Sequence, residues 1–112
     1  MDAPLLYIVS INPEPAVEAD YQRWYDEEHV PELMACPGFR SAGRYRAEEG
    51  SPRYLACYEV ADLTAFESPE YRALSARRLD ERTELTRRVL GHSTVDIKAK
   101  YRRIAYATGL NA

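Results

Sequence analysis

With 112 residues the chain has room for one hydrophobic core, since a second would leave each half too small to offset its conformational entropy. Hydrophobic residues at 46% against 29% charged place it among folded, water-compatible chains rather than disordered ones. A net charge near −3 supplies no field for holding nucleic acid, no apolar run is long enough to cross a membrane, and Met1-Asp2-Ala3-Pro4 lacks the character of a secretory signal.

The expectation is therefore a single domain over residues 1–112, cytoplasmic, with neither nucleic acid nor membrane as partner. Leu5 to Ile11 is an almost continuous apolar and β-branched run, too short for a good helix, and predicts a strand covered on both faces. Asn12 and Pro13 then supply an N-cap and first helical position. Val17, Tyr21, Trp24, Tyr25 and Glu28 follow the three-and-four spacing of one helix face, and the helix should weaken near Val30 because Pro31 cannot donate to the preceding turn. After the Pro37-Gly38 break, Phe39 to Arg46 and Tyr54 to Val60 alternate as two strands of a hairpin, joined by the turn-rich Glu48 to Pro52.

Ser68-Pro69-Glu70 repeats the signal of cap, proline and early acid. It opens an enlarged helical region running through Tyr71, Leu74, Leu79, Leu85, Val89 and Leu90 to a Gly91 stop. Val95, Ile97, Ala99 and Tyr101 alternate with polar residues as a last strand, and a bulge at Arg102-Arg103 would carry the apolar phase over to Ile104 and Tyr106. The order strand, helix, strand, strand, helix, strand is the split βαβ, ferredoxin-like arrangement of an α+β protomer with a four-stranded antiparallel sheet. Helices on one face leave the other open, although the first and third strands carry apolar residues on both sides, so a homodimer through sheet faces is expected.

Chemistry concentrates in Arg23-Trp24-Tyr25-Asp26-Glu27-Glu28-His29-Val30-Pro31. On a regular helix His29 lies about 40° from Tyr25 and about 140° from Trp24, at the shoulder of the apolar stripe, where modest burial or a nearby carboxylate moves an imidazole pKa across neutrality. Two aromatics, three further residues, His, one residue, Pro, and then Pro37-Gly38 before the second strand resemble the dimeric α+β barrel superfamily, in particular its EthD-like branch. Tyr25 stands where that branch often has Trp, and Glu32 where leucine is usual.

The resemblance implies a small-molecule pocket between each sheet and its own helices, and a hydrophobic, aromatic or polyketide-like ligand. It also implies proton-transfer chemistry of cyclase, isomerase, decarboxylase or monooxygenase type that needs no cofactor. His29 then becomes the general base or acid, and Tyr7, Tyr25, Tyr45 and Tyr58 become hydroxyl donors to a developing oxyanion. Arg44 would serve a substrate carboxylate, and Trp24 would form a wall.

Each of these residues also has a plainer reading. His29 can be a helix-end residue satisfied by Asp26, Glu28 or Glu32, Trp24 a core side chain, and Arg44 a salt-bridged strand residue. The Arg77-Arg78 and Arg87-Arg88 pairs alternate with acids and read as exposed helix surface, and His92 reads as structural. Glu28, His29 and Glu32 do not make a convincing metal site, neither histidine marks a haem ligand, and Cys36 and Cys57 read as buried free thiols. Two non-enzymatic alternatives remain: a ligand-binding or stress-related protein of the same fold, and an interaction module whose tyrosines belong to an interface.

Overall fold

The computed structural model describes residues 3–110. Strands β1 (Leu5–Pro13), β2 (Phe39–Arg46), β3 (Tyr54–Val60) and β4 (Ser93–Arg102) form one antiparallel sheet in the order β2-β3-β1-β4, the ferredoxin-like topology. Period-two alternation sends Leu5, Tyr7, Val9 and Ile11 of β1 and Tyr54, Ala56, Tyr58 and Val60 of β3 into the core beneath the helices. The opposite face carries Leu6, Ile8, Leu55, Cys57 and Tyr101, and no element among the described residues covers it.

β1 continues through Asn12 and Pro13, where the sequence had placed a helix start. Asn12 joins three strands instead of capping a helix. Its Oδ1 accepts from the Tyr54 backbone N–H at 3.2 Å, and its Nδ2 donates to Ser10 Oγ at 2.9 Å and to the Asp96 carboxylate. The first helical turn begins two residues later, at Pro15, with Glu14 before it.

The β1–β4 register shifts between Ser10, opposite Ile97, and Ile11, opposite Val95, leaving Asp96 as an inserted residue. The bulge expected at Arg102-Arg103 thus lies six residues earlier, and residues 103–110 extend beyond the sheet without regular structure. Its effect is to change which residues face the helices. Val95 pairs with Ile11, and Lys98 and Lys100 pair with Val9 and Tyr7, so all three lie on the core side, while Ile97, Ala99 and Tyr101 lie on the open side.

Helix α1 (Glu18–Trp24) runs through a π-helical turn, Tyr25–His29, into α2 (Val30–Met34). The enlarged second helical region divides into α3 (Pro69–Ser75), capped by the Ser68 hydroxyl, and α4 (Glu84–Gly91), capped by the Thr83 hydroxyl. The intervening loop holds one 3₁₀ turn, Leu79–Glu81. Gly91 is the last residue of α4 and not a left-handed stop beyond it. Gly38, by contrast, does adopt a positive φ of 88°, and a Cβ there would come within 2.7 Å of the Ala65 Cβ.

Candidate functional site

The π turn sets the position of His29. The Val30 N–H donates to the Tyr25 carbonyl five residues back, and Pro31, which has no N–H and whose ring would clash with the carbonyl four residues before it, follows at once. The wider turn superimposes residues five apart. His29 therefore does not sit about 140° away from Trp24, as a regular helix would place it, but stacks on the indole at 4.5 Å between ring centres with an interplanar angle of 15°. Tyr25 meets the imidazole edge-on at 5.4 Å.

The carboxylates near His29 in sequence are engaged elsewhere. Asp26 accepts from Arg44 Nη1 at 2.8 Å, Glu28 from the Thr83 hydroxyl at 2.6 Å, and Glu32 from Arg77 Nη2 at 2.7 Å. No hydrogen-bond partner of the His29 ring nitrogens stands among the described residues. Trp24 is anchored to α4 by its Nε1–H, which donates to Thr86 Oγ1 at 3.0 Å.

The half-buried His29 lines a cavity of about 240 Å³ between β1 and β4 on one side and α2, α3 and α4 on the other. Its apolar walls are Tyr7, Val9, Trp24, Tyr71, Leu74 and Leu90. Its charged lining consists of Arg77, Arg82, Lys98 and Glu32. Burial pushes the imidazole down to about 4, and the positive charges of Arg82, Arg77 and Lys98 act in the same direction. At neutral pH the ring is uncharged and carries a free lone pair. Burial and the neighbouring Tyr71 phenol push the Tyr7 hydroxyl well above its ordinary value, so it remains a proton donor.

Of the residues singled out in the sequence, the cavity brings together His29, Trp24 and Tyr7. Tyr25 and Tyr58 lie in the core beside it. Their hydroxyls are buried without partners among the described residues, and burial raises both pKa values. Arg44 is held by Asp26 and Gln22 and lies over the Tyr25 ring at 4.6 Å, outside the cavity lining. Tyr45 is 59% exposed on the open sheet face, away from the cavity.

Arg77 departs from its expected place on an exposed helix surface. α3 ends at Ser75, and the loop after it turns Arg77 into the cavity together with Arg82. Tyr71, Arg77, Arg82 and Lys98 are lining residues that the sequence reading did not select. The Thr83-Glu84 cap-and-acid pair does signal a new helix start, and hence a loop before it. Cys36 is buried but Cys57 only half-buried, on the open face. His92 bonds Glu14 at the surface, Nδ1 to Oε2 at 2.7 Å. Among the described residues no cluster of three or more His, Cys, Asp or Glu is arranged to hold a metal ion, and no helix is long and apolar enough to cross a membrane.

Strand order and helix placement define a ferredoxin-like α+β protomer, a fold shared with several solved structures. An EthD family protein from Bacillus halodurans superposes with a TM-score of 0.59 at 14% identity, covering 90% of this chain and 99% of the other. HapK from Hahella chejuensis gives 0.61 at 15% identity, covering 94% and 99%. A candidate antibiotic biosynthesis monooxygenase from Bordetella bronchiseptica gives 0.64 at 16% identity, covering 92% and 99%. The family model described as a domain of unknown function, DUF4286, matches residues 4–95, and the chain belongs to that family. No curated protein sequence matches it significantly.

Proposed function

We propose that the protein is a small-molecule enzyme that moves a proton within an aromatic-walled cavity without a bound cofactor, His29 acting as general base and then as acid. The observation that carries this reading is the neutral His29 ring, stacked on Trp24 and facing the cavity, with the adjacent carboxylates committed to other partners. An imidazole without a carboxylate partner keeps its lone pair for a substrate proton. Tyr7 and Tyr71 line the same space and are the hydroxyls available to a developing enolate or phenolate oxygen. Kinship of fold with an EthD family protein and with a candidate monooxygenase supports the class, while the reaction itself rests on the cavity.

Native mass spectrometry of freshly purified protein reports any small molecule carried along and the subunit number. With that molecule in hand, His29→Ala is expected to leave binding within a few-fold and to lower turnover by roughly 10²–10⁴. Turnover unchanged by this substitution removes His29 from the mechanism. A molecule that binds and is never converted by the wild-type protein supports the second reading, a ligand-binding protein of the same fold.

The uncovered sheet face supports a homodimer. Leu6 and Tyr101, 42% and 50% exposed, lie among half-buried Ile8, Cys57 and Ile97, an apolar surface that a second copy would cover by a single two-fold rotation.

A further inference from the structure

The chain as a whole is acidic, yet the charged lining of its cavity is three cations against one carboxylate. Glu32 is already bonded to Arg77. Among the described residues neither Arg82 nor Lys98 has a carboxylate partner, and the buried Arg77 Nε has no acceptor.

Local structure holds this arrangement in place. Arg82 donates through Nε and Nη2 to the Arg77 carbonyl, at 3.4 and 3.2 Å, and its own carbonyl accepts from Arg87 Nη1 at 2.7 Å, so the loop between α3 and α4 is tied to itself. Lys98 reaches the same space from the opposite wall because the bulge at Asp96 turns it to the core side of β4. Three positive groups from two separate elements thus converge on a neutral imidazole. Arg77 and Arg82 are half-buried and Lys98 is exposed, so the cluster holds positive charge in a site that is dry only in part, and an anion would complete it.

The rest of the lining fixes the character of that anion. Trp24, Tyr7 and Tyr71 offer ring surfaces, and a volume of about 240 Å³ lies just under the roughly 300 Å³ at which small-molecule pockets usually begin. The space fits a body of one or two rings.

We infer that the cavity recognises a small aromatic or alicyclic carboxylate, its ring against Trp24, Tyr7 and Tyr71 and its carboxylate taken by Arg77, Arg82 and Lys98. This deepens the proposed function by assigning the substrate's chemical class, and it rests on the same cavity. It also gives Arg77, Arg82 and Lys98 the carboxylate-binding part that Arg44, which lies outside the cavity lining, does not play. The carboxylate would lie beside His29 and orient the ring so that a proton on an adjacent carbon or hydroxyl comes within reach of the imidazole.

Trp24 is the single tryptophan of the chain, so its indole N–H resonance in a ¹H–¹⁵N spectrum reports on the cavity directly. The probes are 2-naphthoate and its uncharged isostere 2-naphthamide, titrated into the wild-type protein, Lys98→Met and Arg82→Gln. The expected result is a saturable shift with naphthoate, at least about tenfold weaker binding of the amide, and a similar loss of naphthoate affinity in each variant. Raising the salt concentration should weaken naphthoate and leave naphthamide unchanged, a comparison that needs no substitution. Equal affinity for the two probes, or naphthoate binding indifferent both to salt and to Lys98→Met, overturns the carboxylate assignment while leaving the cavity and His29 as proposed. No shift with either probe overturns the assignment and the ligand-binding cavity together.

Discussion

At the scale of single residues, His29 is governed by what surrounds it rather than by its own position on the helix. Arg82 and Arg77 from the loop, Lys98 from β4 and Glu32 from α2 share its cavity, and burial is the largest influence on its proton. The folded pKa of about 4 lies below the ordinary 6.5, so between these values the unfolded chain binds a proton that the folded chain does not. Stability should therefore fall as pH drops from about 6.5 to 4, with the contribution of His29 levelling off below that. Solvent reaching the half-buried ring screens part of this effect, and the loss is on the order of 2 kcal/mol. Denaturant midpoints at pH 7 and pH 4.5 should move less in His29→Gln than in the wild type, and identical pH dependence would mean that the ring stands in water. A bound anion would offset Arg82, Arg77 and Lys98 and raise the imidazole toward neutrality, giving a stronger base only once substrate is present. His29 was legible as a candidate from its aromatic neighbours and Pro31. Its cationic company was not, because Arg77 and Lys98 owe their direction to a loop and a bulge.

Among the elements, two places where regular helical periodicity fails help to build the cavity. Pro31 signalled a weakened helix, but whether a helix before a proline kinks, stops or widens depends on what its carbonyls and side chains meet in the fold. Widening wins here, and it stacks His29 on Trp24. The spacing of Leu74, Leu79 and Leu85 read as one continuing helix, yet Leu79 is 60% exposed and lies in the loop between α3 and α4. Periodicity alone does not distinguish a helix from two helices with a loop of similar phase.

The Gly38 turn, marked in the sequence by Pro37-Gly38, has a sharper requirement. Its φ of 88° and the approach of Ala65 leave no room for a side chain, and its carbonyl accepts from the Ala61 N–H at 2.8 Å. Gly38→Ala should destabilise the protein by about 2 kcal/mol, through the left-handed backbone and the forced contact together. An unchanged melting temperature would contradict this geometry. Gly50→Ala, also at positive φ but with nothing within 4 Å, should show the backbone part alone.

For the molecule as a whole, element order and hydrophobic alternation were enough to indicate the ferredoxin-like protomer, because Leu5 to Ile11 and Tyr54 to Val60 declare central strands through apolar residues on both sides. The same feature leaves one sheet face in need of cover. Light scattering of the wild-type protein should give twice the chain mass, and a Leu6→Glu, Tyr101→Glu double variant should give the chain mass with an unchanged helical circular dichroism signal. A monomeric wild type at micromolar concentration would sink the assembly.

The insertion at Asp96 bears on both sides of the sheet at once. Val95 and Lys98 are an odd number of positions apart, so an uninterrupted strand would point them in opposite directions, yet both face the helices. The extra residue acts as a phase inverter: past it, lysines go to one layer and Ile97, Ala99 and Tyr101 to the other. An unbulged strand of the same sequence would exchange the two sets, turning Ile97 toward the helices and Lys98 onto the open face, so the proposed anion recognition and the proposed pairing of two copies both hang on this one irregularity.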